Sequence, residues 1–515
     1  MPSSKTAKVF SAELEGIESK LIEVETDINV GLHSFTIVGL ADKALSEAKE
    51  RVNSALKNIG VKPPSKENRR IVVNLAPADF KKTGSHYDLP IAVGYLLATG
   101  QMLSENMDDA IFVGELALDG RLRPVNGVLS IAGLAKKLSK TLYVPQENAS
   151  EASIVSGITV VPIPDLKSLI DHVERRDKIQ PHPHTVPSFP ESSLDIDISE
   201  IKGQEHAKRA LIIAASGGHN LLMVGPPGTG KSMLAQALIS ILPPLSHEEI
   251  IETTKIYSAA GLLGGQPFIG RRPFRTPHQS ASLPAVVGGG QSPKPGEVSL
   301  AHRGILFLDE LPEFRRDVLE ALRQPIENGR ANISRVKGTL SLPAKFTLIA
   351  AMNPCPCGYW GDPDTECNCA ATDITRYQRR LSGPLLDRID LQIHVPRVPL
   401  EKLRSININP QESHVFKSSV ISARKRQSER LKKIHKITNA ELSSKECDSM
   451  IQLENGVGEF LTKASDKLKL SARAYYRTLK VAQTIADIEN SDTVSQAHIA
   501  EAFSYKLKEH ELGAL

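Results

Sequence analysis

The octapeptide Gly225-Pro226-Pro227-Gly228-Thr229-Gly230-Lys231-Ser232 has the residue types and spacing needed to hold a chain of phosphates. Its glycines let backbone N–H groups turn toward an anion, and the helix that follows adds the partial positive charge of its N-terminus. Lys231 is placed to reach β- and γ-phosphates, and the Ser232 hydroxyl to hold magnesium. Asp309 and Glu310 end the apolar run "ILFL". There Asp309 suits a water-mediated contact to magnesium, and Glu310 suits activation of the attacking water. Asn353 ends a third apolar run, "FTLIAAMNP". A polar side chain at that position would hold the lytic water or sense the γ-phosphate; the plainer role is a turn before proline.

Two arginines extend this chemistry beyond one subunit. Arg388, in "RRLSGPLLDRIDLQIHVP", suits a finger reaching a neighbour's γ-phosphate, worth roughly 10³–10⁵ in rate. The alternative is an ion pair with its flanking Asp387 and Asp390. Arg473 opens the helical stretch "LSARAYYRTLKVAQTIADI" and could read the nucleotide state, while Arg477 one turn later could equally be surface charge. A finger in trans requires an oligomer. Ring closure by heterologous contacts supplies one, and six subunits are usual for such motors.

A second kind of chemistry lies in "MNPCPCGYWGDPDTECNC", which holds four of the five cysteines and the only tryptophan, Trp360. Cys355, Cys357, Cys367 and Cys369 form two Cys-X-Cys pairs, suited to a closed, four-thiolate zinc site. The single residue within each pair is shorter than the usual two to four. Metal-free thiols and a redox pair are the alternatives.

These residues must be positioned by something larger. A chain of 515 residues, 40% hydrophobic and 24% charged, has material for two or three domains. The net charge of +4 permits a nucleic-acid partner without requiring one. No apolar run approaches the roughly 20 residues of a membrane span, and the first residues lack an apolar signal core. A cytoplasmic protein is therefore expected, with its thiols reduced. Strand-like and helix-like stretches alternate over 1–176. Prolines at 181, 183, 187 and 190 mark 177–197 as a linker. Short apolar strands between helices over 198–398 predict a parallel sheet covered on both faces. Helical patterning runs through 399–515.

The motifs, in this order, resemble the AAA+ ATPases, with 399–515 as the helical lid. More specifically, "DISEIKGQEHAKRALIIAASGGHNLLMVGPPGTGKS", "RPFRTPHQSASLPAVVGGGQSPKPGEVSLAHRGILFLDELPEF" and "RLSGPLLDRIDLQIHVP" are similar to the magnesium-chelatase-like ATPases of the ComM (YifB) family. The resemblance implies an α/β protein: a Lon-protease-like α+β domain, a P-loop AAA+ core and a helical lid. It implies ATP and magnesium as cofactors, Gly203 and Gln204 near the adenine, and Arg473 acting across the subunit boundary. It further implies a hexameric DNA motor that drives branch migration in natural transformation, with recombination proteins as candidate partners. A remodelling chaperone or a magnesium-chelatase-type motor that does not act on DNA is the alternative. The N-terminal region resembles the proteolytic domain of Lon and the similar domain of the RadA ATPase. Here Tyr87-Asp88 stand near the nucleophile's place, Ser85 is displaced, and Val128 or Leu129 falls where Lon has its lysine. A serine needs a base to be activated, so no peptidase activity is expected.

DNA would be tracked by cations on two segments decorating the core. One is "GRRPFRTPHQSASLPAVVGGGQSPKPGE", carrying Lys294. The other is the hairpin "SRVKGTLSL", with Arg335 and Lys337. Both could line a central pore; ordinary solvated charge is the competing account. The basic run Arg424 to Lys436 reads as a solvated helix face before it reads as a phosphate contact.

Overall fold

The computed structural model describes residues 6–40, 42–66, 68–79, 81–103, 107–187, 196–290, 294–335, 338–399, 410–468 and 470–506. They form two compact units, one of 1–189 with 246–270 and one of 190–245 with 271–515.

The first unit is built on a seven-stranded sheet. Its spatial order is Ser34–Val38, Arg69–Ala76, Glu18–Val30, Ala7–Glu15, Ala110–Phe112, Thr141–Pro145, Val160–Ile163. Ala7–Glu15 is the seam. It pairs antiparallel with Glu18–Val30 and parallel with Ala110–Phe112. Asp119-Gly120 turns a short hairpin, with Glu115–Leu116 against Leu122–Arg123 and Gly120 at φ +91°. The helix Asp88–Thr99 is buried almost throughout, which its unbroken apolar sequence dictates. Its first residue, Asp88, is buried as well. Burial raises that carboxyl's pKa to about 6 against the opposing pull of Arg51, whose Nε and Nη2 donate to it at 2.6 and 2.9 Å.

The sequence reading keeps 246–270 inside the ATPase core, but this segment folds with the first unit. The helix His247–Ala260 presents Ser258, whose hydroxyl donates to the buried Glu151. Glu151 also accepts from the Leu129 amide at 2.9 Å and from Asn148 at 3.3 Å. A buried carboxylate needs such partners, and the helix supplies one of them.

The second unit carries a five-stranded, wholly parallel sheet ordered Phe274–Arg275, Ile305–Leu308, Thr347–Met352, Leu221–Val224, Leu391–His394. Both of its faces are covered. Leu221, Met223, Ile305, Phe307, Ile349 and Ala351 enter one apolar cluster, while Leu222, Val224, Leu306, Leu308, Leu348 and Ala350 enter the other. That is why these strands read as uninterrupted apolar runs. Phe274–Arg275 lies in a stretch too rich in glycine and proline to suggest a core element, yet it adds the edge strand.

The helices Pro410–Leu431, Ser444–Met450, Val457–Lys467, Ala472–Ile488 and Gln496–Ser504 complete this unit. The basic run is a solvated face only in part: Lys425, Lys432, Lys433 and His435 are exposed, whereas its arginines turn inward. Arg424 Nε and Nη2 donate to the Ala215 carbonyl, and Arg426 pairs with Asp492. Arg430 holds the buried Asp487 at 2.7 Å. These arginines fasten helix to helix. Among the described residues, no helix is long and apolar enough to cross a membrane.

Candidate functional site

The strand Leu221–Val224 lies between Thr347–Met352 and Leu391–His394, with Val224 opposite Met352 and His394. Its exit admits only glycine: a Cβ on Gly225 would lie 2.2 Å from the Val395 carbonyl oxygen. Gly228 and Gly230 take φ of +76° and +84°, the left-handed turn that glycine tolerates. Lys231 then opens the helix Lys231–Ile241 and is 8% exposed. Its Nζ donates to the Gly225 and Pro226 carbonyls at 2.8 Å each and to Asn353 Oδ1 at 3.3 Å. Burial lowers the ammonium pKa to about 8, and the nearby Asp309 and Glu310 oppose that shift.

Ser232 Oγ donates to Asp309 Oδ2 at 2.9 Å, and the Glu310 amide donates to Asp309 Oδ1 at 2.9 Å. A hydroxyl and a carboxylate in contact are hard oxygen donors of the kind magnesium takes. Glu310 sits at φ +50°, ψ +48°, a left-handed conformation that costs a non-glycine residue about 1–3 kcal/mol and is characteristic of functional positions. Lys231, Ser232, Asp309, Glu310 and Asn353 thus meet at the carboxyl ends of three parallel strands, where open α/β sheets place ligands. Gln204 donates from Nε2 to the Pro396 carbonyl at 2.8 Å. It is thereby tied to the chain just beyond Val395, which walls Gly225.

Arg388 and Arg473 form a separate pair around Glu327. Arg388 Nη2 donates to Glu327 and Nη1 to the Pro384 carbonyl at 2.6 Å. Arg473 Nη2 lies 3.7 Å from the same carboxylate. The hydrogen bond from Arg388 is the main cause holding the Glu327 pKa down. The flanking acid Asp390 is engaged elsewhere, with His219 at 3.2 Å and Arg477 at 3.5 Å. Arg388 is 13% exposed and Arg473 57%.

The four clustered cysteines converge. Their sulfurs all lie within 4.8 Å of one another, with Cys355, Cys357 and Cys367 separated by 3.3, 3.5 and 3.7 Å. All are free thiols. The Trp360 amide donates to Cys355 Sγ at 3.3 Å and the Cys357 amide to Cys369 Sγ at 3.4 Å. Four soft donors grouped around one point, with amides aimed at sulfur, fit a tetrahedral thiolate-loving ion.

Of the DNA-contact residues expected from sequence, Lys294 is exposed on the strand Lys294–Pro295, paired with Gly288–Gly289. Arg335 ends the strand Arg330–Arg335 of the expected hairpin, and Lys337 lies outside the described residues. The two decorating segments pack together, since a Cβ on Gly288 would lie 2.9 Å from Ile333 Cδ1. Arg275 is committed to Glu297, with Nε and Nη2 at 2.6 and 2.8 Å from its carboxylate.

The structure adds a feature that sequence reasoning missed. A cleft of about 910 Å³ is lined by Arg316, Arg376, Arg379 and Arg380 with Thr372 and Thr375. Arg380 pairs with Glu313 and Arg376 with Asp373. Arg316 and Arg379 make no side-chain hydrogen bond or ion pair among the described residues, and both are exposed. The signal was present in "TRYQRR" and "EFRRD", but some 60 residues separate the two stretches, and only the fold joins them.

In the first unit, Ser85 Oγ donates to Glu115, and Tyr87 donates to Glu13 at 2.7 Å. Val128 and Leu129 are fully buried.

Residues 197–403 match the family described as magnesium chelatase, subunit ChlI. Residues 24–148 match subunit ChlI of Mg-chelatase, and 410–506 match its C-terminal part. The chain is 44% identical over 506 residues to the competence protein ComM of Haemophilus influenzae, covering 97% of each. It is 43% identical to the protein YifB of Escherichia coli, covering 95% of each. The magnesium-chelatase 38 kDa subunit of Rhodobacter capsulatus is 27% identical over 33% of this chain and 51% of its own length.

Proposed function

The chain belongs to the family of ComM and YifB, among the magnesium-chelatase-like AAA+ ATPases, and from that premise we propose that it is an ATP-driven hexameric motor that moves on DNA and drives branch migration during recombination and natural transformation. The observation that carries the ATPase half is the convergence of Lys231, Ser232, Asp309, Glu310 and Asn353 on one end of the parallel sheet. ATP would displace the carbonyl acceptors of Lys231, placing its β- and γ-phosphates on the ammonium and on the N–H groups of 228–232. Ser232 and Asp309 would hold magnesium. Glu310 would take the proton of the attacking water while Asn353 orients it. Gly203 and Gln204 flank the adenine. Arg388 and Arg473 complete the site of the next subunit in the ring. The clustered cysteines hold one zinc ion.

Lys231→Ala is expected to lose nucleotide binding. In the wild type, polyphosphate favours the charged lysine, whose pKa without it is about 8. ATP affinity therefore stays level below about pH 8 and declines by up to about tenfold per pH unit above it. Titration with a fluorescent ATP analogue across that range checks both.

The DNA half is supported by kinship with a competence protein and by the arginine cleft. Guanidinium groups with hydroxyls between them suit a phosphate backbone read without base preference. Single Glu substitutions at Arg316 and Arg379 are expected to weaken DNA binding across all sequences. Each should reduce the slope of log affinity against log salt by about 0.7–0.9 for every phosphate left without its cation. Fluorescence anisotropy at several salt concentrations measures this. The function as a whole is tested by ATPase rates with and without single-stranded and forked DNA, beside a branch-migration assay. Stimulation and migration are expected; an ATP-bound oligomer that neither binds nor responds to DNA would favour the remodelling alternative. The first unit serves assembly or DNA contact, in keeping with a Ser85 committed to Glu115 and with apolar Val128 and Leu129 in the core. A cytoplasmic location belongs to the same proposal, as the compartment that supplies ATP and keeps thiols reduced.

A further inference from the structure

The loop 355–369 contains neither helix nor strand and few apolar side chains, so it has no core of its own. Yet it packs on the nucleotide site at Gly358 and is tied to the chain beside that site on either side. Asn353, which receives Lys231, lies two residues before Cys355, and the intervening Pro354 carbonyl is held by the buried Gln378 Nε2 at 2.9 Å. Gly358, one residue past Cys357, lies against the phosphate loop itself. A Cβ there would stand 2.7 Å from Pro227 Cδ and 3.8 Å from Asn353 Cγ. At the far side Asp362, its side chain fully buried, pairs with Arg397 at 3.1 Å and caps the amides of Asp364 and Thr365. Arg397 follows Pro396, the anchor of Gln204.

We propose that zinc in the Cys355–Cys357–Cys367–Cys369 site is the fastener that seats Gly358 on Pro227 and Asn353 on Lys231, so that nucleotide binding depends on metal occupancy. This rests on the four-thiolate assignment above. As the Zn–S bonds form, four thiols release four protons to solvent, leaving a centre of charge −2. The Trp360 and Cys357 amides already point at two of its sulfurs. With the metal bound, the loop is one rigid piece from Cys355 to Cys369. Without it, the two pairs part, and the seat on Pro227 loses its support.

Trp360 is the only tryptophan in the chain, so its emission reports on this loop alone. The full-length protein, purified reduced and without chelator, should carry one zinc per chain; below about half a zinc, the metal assignment falls. Zinc is then released with a mercurial, followed by a zinc-sensitive dye, and restored with thiol and zinc. Release should shift Trp360 emission and weaken binding of a fluorescent ATP analogue by about 10- to 100-fold, the worth of a charge-assisted hydrogen bond, and restoration should reverse both. Adding ATP to the zinc-loaded protein should also shift Trp360 emission. Pro227→Ala separates the steps, since it removes the ring atoms nearest Gly358 without altering the cysteine loop: zinc should stay stoichiometric, and its release should change ATP affinity less than in the wild type. A stoichiometric zinc whose removal leaves nucleotide affinity unchanged would overturn the coupling while leaving the metal site intact. An undiminished zinc dependence of ATP affinity in Pro227→Ala would overturn it equally.

Discussion

Arg388→Ala is expected to bind ATP normally and to hydrolyse it roughly 10³–10⁵-fold more slowly, the range an arginine finger supplies. The physical ground is the position of this side chain. It is nearly buried, it shares Glu327 with Arg473, and its Nε is buried with no hydrogen-bond partner among the described residues. Arg323, Arg426 and Arg430 share the last feature, so it is the pairing with Glu327 and Arg473 that sets Arg388 apart. The guanidinium's outer nitrogens rest on Glu327 and the Pro384 carbonyl, and a neighbour's γ-phosphate would draw them off these partners. If the finger works in trans, the defect is shared between subunits. Mixing Arg388→Ala with Lys231→Ala then restores part of the activity, because some interfaces combine an intact nucleotide pocket with an intact finger. Two inactive proteins regaining turnover on mixing is the outcome to look for. A normal rate in Arg388→Ala, or silence on mixing, leaves Arg388 as a structural partner of Glu327.

The second large effect is at Glu310. Glu310→Gln preserves shape and hydrogen bonding but removes the base, and should reduce turnover by about 10²–10⁴-fold with ATP still bound. The backbone adds to the case. The residue is held left-handed, with its amide tied to the carboxylate of Asp309. That arrangement aims its side chain independently of the strand that precedes it. Rapid-quench turnover beside equilibrium nucleotide binding separates the two quantities. Unaltered hydrolysis in Glu310→Gln would move the base elsewhere.

Much of this site was legible because its chemistry is local. A strand, a glycine-rich turn and a lysine at a helix start are contiguous, and buried parallel strands announce themselves as apolar runs. Asn353 was legible for the same reason, as the polar residue at a strand end. What was not legible is long-range. Arg388 stands out in the sequence between Asp387 and Asp390, but its partner Glu327 lies 61 residues away. The arginine cleft needs two distant segments brought face to face. Arg424, Arg426 and Arg430 read as surface charge because periodicity reports apolar faces only, and guanidinium groups that bond carbonyls and buried acids leave no such trace. The helix His247–Ala260 has good caps and ordinary amphipathicity, so nothing local says which core it joins.

That helix has a practical corollary. The polypeptide passes between the units at 189/190, at 245/246 and again at 270/271. Where it leaves and re-enters the second unit, Arg272 staples the two passes, donating to the Pro243 carbonyl from Nε and to the Pro244 carbonyl from Nη2. A protease nick in the proline-rich stretch would therefore cut 1–189 from the backbone while 246–270 stays covalently joined to the second unit, leaving noncovalent packing alone to hold the first unit together. Residues 1–189 expressed alone would present Glu151 with its Ser258 partner missing. The smallest faithful fragment of the first unit is a spliced one, with 246–270 grafted back by a linker.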